Sequence, residues 1–353
     1  MQRPQWSYRH RERQAAAVML ATLACGGPLT APPAPENSAA TRHALSDPGS
    51  WTYLGFPGGQ YPDGTTMPPA HRQAGLARAL AVGPLAPDGS PSPTGRIVLL
   101  SIGMSNTTQE FCNPSPAGQC NSGTFVSQAL ADPAVQKTTL AMVDGARGGQ
   151  TAGTWDSPAD PNYDQVRDSR LAPAGVTERQ VQAVWVKVAN AGPTVSLPAA
   201  EADAYTLVGQ LGGIARALKV RYPNVKLVFI SNRIYGGYAS TTLNPEPYAY
   251  ESGFAVKWVI GAQIAQMAGG GMDARAGDLS YNGPAPWLGW GPDLWANGMT
   301  PRADGLTWAR EELGSDGTHP SALGVQKVGR LLLDFFKQSP HTRCWFVAGG
   351  ACA

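Results

Sequence analysis

The stretch Ile97-Val98-Leu99-Leu100-Ser101-Ile102 is a continuous apolar run that stops at Gly103-Met104-Ser105-Asn106. A short run without polar alternation, rich in β-branched residues and closed by a glycine, predicts a strand buried on both faces. Similar runs follow at Thr138–Val143, Val181–Val188 and Val225–Ile230. Between the last two, Leu207, Leu211, Ile214 and Leu218 recur at helical spacing and predict an amphipathic helix over 200–220. Two more helices are expected at 250–267 and 321–336. Strands alternating with helices predict an α/β fold, a parallel sheet covered on both sides. In such sheets ligands bind beyond the carboxyl ends of the strands, so chemistry is expected just after each run.

Working outward, the segment 279–308 carries Trp287, Trp290, Trp295 and Trp308 among Gly, Pro and Asn. It is expected to be a long loop, either packed by its own aromatics or forming a substrate-facing rim. At the front of the chain, Arg3, Arg9, Arg11 and Arg13 precede the apolar run Ala15–Ala24, which ends at Cys25-Gly26-Gly27. This is a secretory pattern, so residues 1–24 are expected to be a signal peptide. Residues 25–50, rich in Pro, Ala, Ser and Thr, read as a disordered tether, and 51–353 as one domain with its core at about 95–337.

Charge supports that division. The chain has 27 Lys and Arg against 25 Asp and Glu, a net charge of +2. Without the first 24 residues, which hold four Arg and one Glu, the balance becomes −1. The basic excess belongs to the targeting segment, and a nucleic-acid partner is not expected. Gly (42) and Pro (31) together make roughly a fifth of the 353 residues, as long loops require. No apolar stretch has the roughly 18 residues of a bilayer-spanning helix. With Cys25 set aside, Cys112/Cys120 and Cys344/Cys352 form two local pairs, expected to be disulfides in an oxidising compartment. No CxxC or spaced His set suggests a metal site, and no cofactor is expected.

The strongest chemical signal is Ser315-Asp316-Gly317-Thr318-His319-Pro320, directly before the last expected helix. Pro320 suits a first helical position. An Asp three residues ahead of a His on such a turn can orient the imidazole from behind, as the acidic member of a hydrolytic triad does. The matching nucleophile is Ser105, placed after the first strand in half of a GxSxG elbow, with Thr107 where the second Gly would stand. Of the five His, His10 and His43 precede the domain, and of His71, His319 and His341 only His319 is expected at a strand-to-helix mouth.

These blocks resemble those of SGNH/GDSL-type hydrolases, with the sequence as a divergent member. Gly103-Met104-Ser105 resembles the nucleophile block, with Met104 replacing the usual Asp. Gly145-Ala146-Arg147-Gly148-Gly149-Gln150-Thr151 resembles the second block, which carries an oxyanion glycine to Gly149, with Gly148 the neighbouring alternative. Val188-Ala189-Asn190-Ala191 occupies the place of the third, where only Asn190 survives, and Asn232 after the fourth strand is the rival. Asp316 and His319 match the last block in full. The resemblance implies a three-layer α/β/α, flavodoxin-like parallel sheet of about five strands. It also implies a serine esterase with catalytic Ser105, Asp316 and His319 and an oxyanion site formed by Ser105, Gly149 and Asn190. Its substrate would be a small-molecule or glycan ester, a carbohydrate O-acetyl ester among them. Arg147, Arg233, Tyr235 and Tyr238 are pocket candidates, with Glu246, Tyr248, Tyr250 and Glu251 close behind. Cys25 resembles the lipid-bearing cysteine of bacterial lipoproteins, so the protein is expected to be periplasmic, extracellular or lipid-anchored, touching membrane only through that anchor. The competing expectation is a non-catalytic surface protein that binds carbohydrate on the same fold. Oligomeric state is left open.

Overall fold

The computed structural model describes residues 41–114 and 118–353. The secretory pattern, Cys25 and the first part of the expected tether lie outside the described residues. The last part of that stretch is not a tether. Ala44 and Leu45 are buried in the domain core, and the backbone N–H and hydroxyl of Ser46 donate to Asp293. The composition of 41–50 is polar enough to suggest a linker, but two apolar residues and an Asp partner 247 positions away suffice to anchor it.

A small antiparallel ribbon, β1 (Thr52–Tyr53) with β2 (Phe56–Pro57), and helix α1 (Pro69–Leu80) precede the main sheet. The expected run at 97 is β3 (Ile97–Gly103), buried at every position. It leads directly into α2 (Ser105–Phe111), then α3 (Phe125–Ala131), β4 (Leu140–Asp144) and α4 (Pro161–Val166). The chain continues through β5 (Val181–Lys187), α5 (Asp203–Arg221), β6 (Leu227–Ile230) and α6 (Tyr248–Met267). It ends with β7 (Trp287–Trp290), α7 (Ala322–Gln338) and α8 (Arg343–Phe346).

The five main strands are all parallel, in the order β4-β3-β5-β6-β7. Counted along the chain within the sheet, this is the 2-1-3-4-5 order of flavodoxin-like folds. Alternate residues of β3 sort into two cores. Val98, Leu100 and Ile102 face a layer built from α4, α5 and α6, whereas Ile97 and Leu99 face α1, α2, α3, α7 and α8. Burial on both faces explains why β3, β5 and β6 read as predominantly apolar runs without polar alternation. The helical stripe of α5 is buried as expected.

The Trp-rich segment differs from its expected form. Trp287-Leu288-Gly289-Trp290 is the fifth strand, a four-residue edge pairing with β6. Trp287, Trp295 and Trp308 are fully buried, and Trp290 nearly so, so these rings pack the interior. Both cysteine pairs are disulfides, Cys112–Cys120 and Cys344–Cys352. Among the described residues no helix is long and apolar enough to cross a membrane.

Candidate active site

The switch point of the sheet lies between β3 and β5, and the turn after β3 carries Ser105 as the first residue of α2. A Cβ on Gly103 would stand 2.3 Å from the Lys187 carbonyl of the adjacent strand, so only glycine lets the chain turn there. Thr107, standing where an elbow would carry its second glycine, pins the turn instead. Its hydroxyl donates to the Lys187 carbonyl at 2.6 Å and accepts from the Met104 N–H at 3.2 Å. Asp144, at the end of β4, accepts from the Ser101 and Thr108 hydroxyls and from the Ala146 N–H, locking β3, α2 and the second loop together. Burial pushes its carboxyl up to about 6, against the pull of those hydrogen bonds.

Asp316 and His319 stand on the turn before α7. Ser321, not Pro320, caps that helix, and Pro320 lies one residue outside it. The turn is closed on itself, since the Gly314 N–H donates to the His319 carbonyl at 2.7 Å. His319 Nδ1 lies 2.5 Å from Asp316 Oδ2, and His319 Nε2 lies 2.7 Å from Ser105 Oγ. The other Asp316 oxygen accepts from the backbone N–H groups of Thr318 and His319, both at 3.0 Å. Burial raises the Asp316 carboxyl, but these hydrogen bonds outweigh it and hold the group below the ordinary carboxylate range. An ionised Asp316 therefore fixes the ring with Nδ1 protonated and leaves Nε2 free to accept the serine proton.

Ser105 and His319 open onto a cavity of about 260 Å³ whose wall includes Gly149, Asn190, Asn244 and Arg233. Gly149 and Asn190 thus line the same cavity as the serine, and a Cβ on the neighbouring Gly148 would lie 3.8 Å from Ser105 Cβ. Asn232, the rival to Asn190, is buried elsewhere. Its amide donates to Asp293 and its oxygen accepts from the Leu294 N–H. Three of the other expectations fall away. Exposed Arg147 donates to Gln165, Tyr235 packs on Tyr238 and Trp295, and the Tyr238 hydroxyl donates to the Trp308 carbonyl. None of the three lines the cavity. Nor do Glu246 and Glu251, which are buried acceptors. Glu246 serves Trp295 and the Gly236 and Tyr250 N–H groups, and Glu251 serves Tyr53 and the Leu197 N–H.

Sequence reasoning missed three features. Asn106, buried beside the serine, donates to the Thr318 carbonyl, and Asn244 donates to the Asn190 carbonyl. Beneath α2, Lys187 and Glu110 form an ion pair at 2.5 Å with both side chains wholly buried. Burial pulls the ammonium down to about 8 and pushes the carboxyl up, while their contact opposes both shifts. A residue at the end of β5 and one on α2 share no sequence spacing that would announce this pair. Among the described residues no group of three or more His, Cys, Asp or Glu is placed to hold a metal ion. His71 and His341 are buried, bonded to backbone carbonyls and stacked near Trp287.

Neither a family model nor a curated protein matches the chain. Among solved structures it is similar to a carbohydrate esterase family 2 enzyme with a carbohydrate binding domain from Corynascus thermopiles (Myceliophthora fergusii). That similarity has 12% identity and a TM-score of 0.37, over 69% of this chain and 66% of the other. A family two carbohydrate esterase from Cellvibrio japonicus gives 12% and 0.37, over 72% and 64%. An extracellular lipase from Streptomyces rimosus gives 14% and 0.31, over 67% and 97%. The chain spans just under two thirds of the length of the two carbohydrate esterases.

Proposed function

We propose that this protein is an exported serine esterase that removes a short acyl group, such as acetyl, from a carbohydrate through an acyl-enzyme. The observation that carries the reading is the hydrogen-bonded line Ser105 Oγ, His319 Nε2, His319 Nδ1, Asp316 Oδ2, with links of 2.7 and 2.5 Å. Ser105 Oγ attacks the ester carbonyl while His319 takes its proton and Asp316 stabilises the imidazolium. The Ser105 and Gly149 N–H groups and the Asn190 amide are the candidate donors for the oxyanion. The Asn190 amide has one donor at 3.3 Å from the Asp203 carbonyl, which leaves its second hydrogen for this task. Collapse of the intermediate breaks the ester C–O bond, and His319 gives its proton to the departing alcohol. Water then adds to the acyl carbon with His319 as base, releasing the acid and restoring Ser105.

The small cavity suits a short acyl group, and its polar wall of Gln150, Thr151, Asn190 and Asn244 suits a hydroxyl-rich alcohol. Two disulfides support an oxidising compartment. The test is hydrolysis of 4-nitrophenyl acetate and of acetylated saccharides by the purified protein, with covalent labelling by a fluorophosphonate. Activity and label should both vanish in Ser105→Ala, and activity in His319→Ala. Turnover unchanged in Ser105→Ala would sink the reading, and glycan binding without any label would favour the non-catalytic alternative.

A further inference from the structure

Arg233 follows β6 and lines the same cavity as Ser105 and His319, yet it is only 2% exposed. Its backbone N–H donates to the Ser252 hydroxyl at 3.2 Å. Its guanidinium has no hydrogen-bond or ion-pair partner among the described residues, and Nε is fully buried without one. The other buried Lys and Arg side chains are each held. Lys187 has Glu110, Lys257 has the Pro57 and Gly58 carbonyls, and Arg302 has Asp293, Asp304 and two carbonyls. A charged group taken out of water without a partner is costly, so an unpaired one at a ligand cavity needs an explanation.

Glu110, Glu246 and Asp316 attract Arg233 from beyond contact distance. Each of those carboxylates is committed elsewhere: Glu110 to Lys187, Glu246 to Trp295 and two backbone N–H groups, Asp316 to His319. Their field helps keep the guanidinium charged, and burial lowers it only to about 10. What remains is a planar cation whose donors match a carboxylate and are not spent on the protein.

We propose that Arg233 is a specificity residue of this cavity and that the ester bound there carries a carboxylate close to its scissile bond. This rests on the esterase reading. The carboxylate can belong to the acyl half, as in a hemiester of a dicarboxylic acid, or to the alcohol half, as in an O-acylated uronic-acid saccharide. In either case the guanidinium receives it in a charge-assisted pair and leaves the acyl carbon at Ser105.

The test compares kcat/KM within two pairs of esters, each differing by one charge. The acyl pair is mono-4-nitrophenyl succinate against its methyl ester, and the alcohol pair is acetylated methyl glucuronide against acetylated methyl glucoside. In the wild type the anionic member of one pair should be favoured by about tenfold or more, the worth of one charge-assisted hydrogen bond. The pair that shows it identifies the half that bears the charge. Arg233→Met should bring that ratio to about one, and Arg233→Lys should restore part of it. A ratio near one in both pairs, or one that Arg233→Met leaves intact, overturns the proposal and makes Arg233 a distant counter-charge for Glu110 and Asp316. If Arg233→Met does not fold, the wild-type ratios decide. Calorimetric titration of succinate and methyl glucuronide into Ser105→Ala reads the anion site without turnover. Carboxylate binding there with no ester hydrolysed by the wild type sinks the esterase reading alone, whereas hydrolysis without charge preference sinks the anion site alone.

Discussion

The Asn106 side-chain amide donates to the Thr318 carbonyl at 3.0 Å, tying the residue after the serine to the residue before the histidine across 212 positions of sequence. Asn106 is buried, so its loss leaves an unsatisfied carbonyl as well as a looser register between α2 and the turn before α7. Asn106→Ala is therefore expected to lower kcat for 4-nitrophenyl acetate by about tenfold, with a smaller change in KM, and to destabilise the fold by about 1–2 kcal/mol. Steady-state kinetics with urea unfolding on the same samples separate the two effects. A purely structural role would leave kcat of the folded fraction unchanged.

The Lys187–Glu110 pair makes a different kind of expectation. With both side chains wholly buried, removing one partner strands the other charge in a low-dielectric interior. Lys187→Met or Glu110→Leu alone should each destabilise the protein by about 3–5 kcal/mol. The double variant should recover most of that loss, because two apolar side chains of similar size leave no charge to desolvate. A double-mutant cycle in urea measures the coupling directly. Additive losses would mean that the two charges do not depend on each other.

Much of this architecture could be read from residues alone, for physical reasons that also mark where reading stops. Strands β3, β5 and β6 are buried on both faces, so their sequences are predominantly apolar, interrupted only by Ser101, Gln182 and Lys187. Edge strand β7 is short and sits among Gly, Pro and Trp, so the same composition that marks loops concealed it. Asp316 and His319 were legible because one turn holds them at fixed spacing, and Ser105 because a strand ends immediately before it. Arg147, Tyr235 and Tyr238 were misplaced because following a strand or a loop glycine puts a residue near the sheet's end without saying which way it points. Asn106, Asn244 and the Lys187–Glu110 pair depend on partners from distant elements, which no local spacing encodes.

Glu251 should give stability a pH dependence. Its carboxyl is buried, and burial pushes it up to about 7, against the hydrogen bonds from Leu197 and Tyr53. The folded state therefore holds this proton more tightly than the unfolded chain does. The corresponding stabilisation is complete below the ordinary glutamate range and is lost as pH rises through about 7. Glu251→Gln cannot ionise, so its stability relative to the wild type should improve steadily between about pH 4.5 and 7. Urea midpoints at a series of pH values test this. A difference that does not vary with pH would show that Glu251 titrates alike in both states.

Gly317 lies between Asp316 and His319 at φ +65°, and a Cβ there would stand 1.8 Å from the Tyr238 carbonyl oxygen. Two separate penalties therefore fall on Gly317→Ala. The left-handed backbone alone disfavours an L side chain by about 1–2 kcal/mol. The contact adds to this, because the obstacle is backbone, and either the turn or the 238–240 segment must move. That segment is itself bound to the turn, since the Ser240 N–H donates to the Asp316 carbonyl at 2.9 Å. Movement of the turn displaces His319 from Ser105, so fluorophosphonate labelling of Ser105 should slow along with ester hydrolysis even in protein that remains folded. Near-ultraviolet circular dichroism establishes the folded fraction, and labelling rates on that fraction give the result. Wild-type labelling by a folded Gly317→Ala protein would mean that the turn absorbs the new methyl group without moving the histidine.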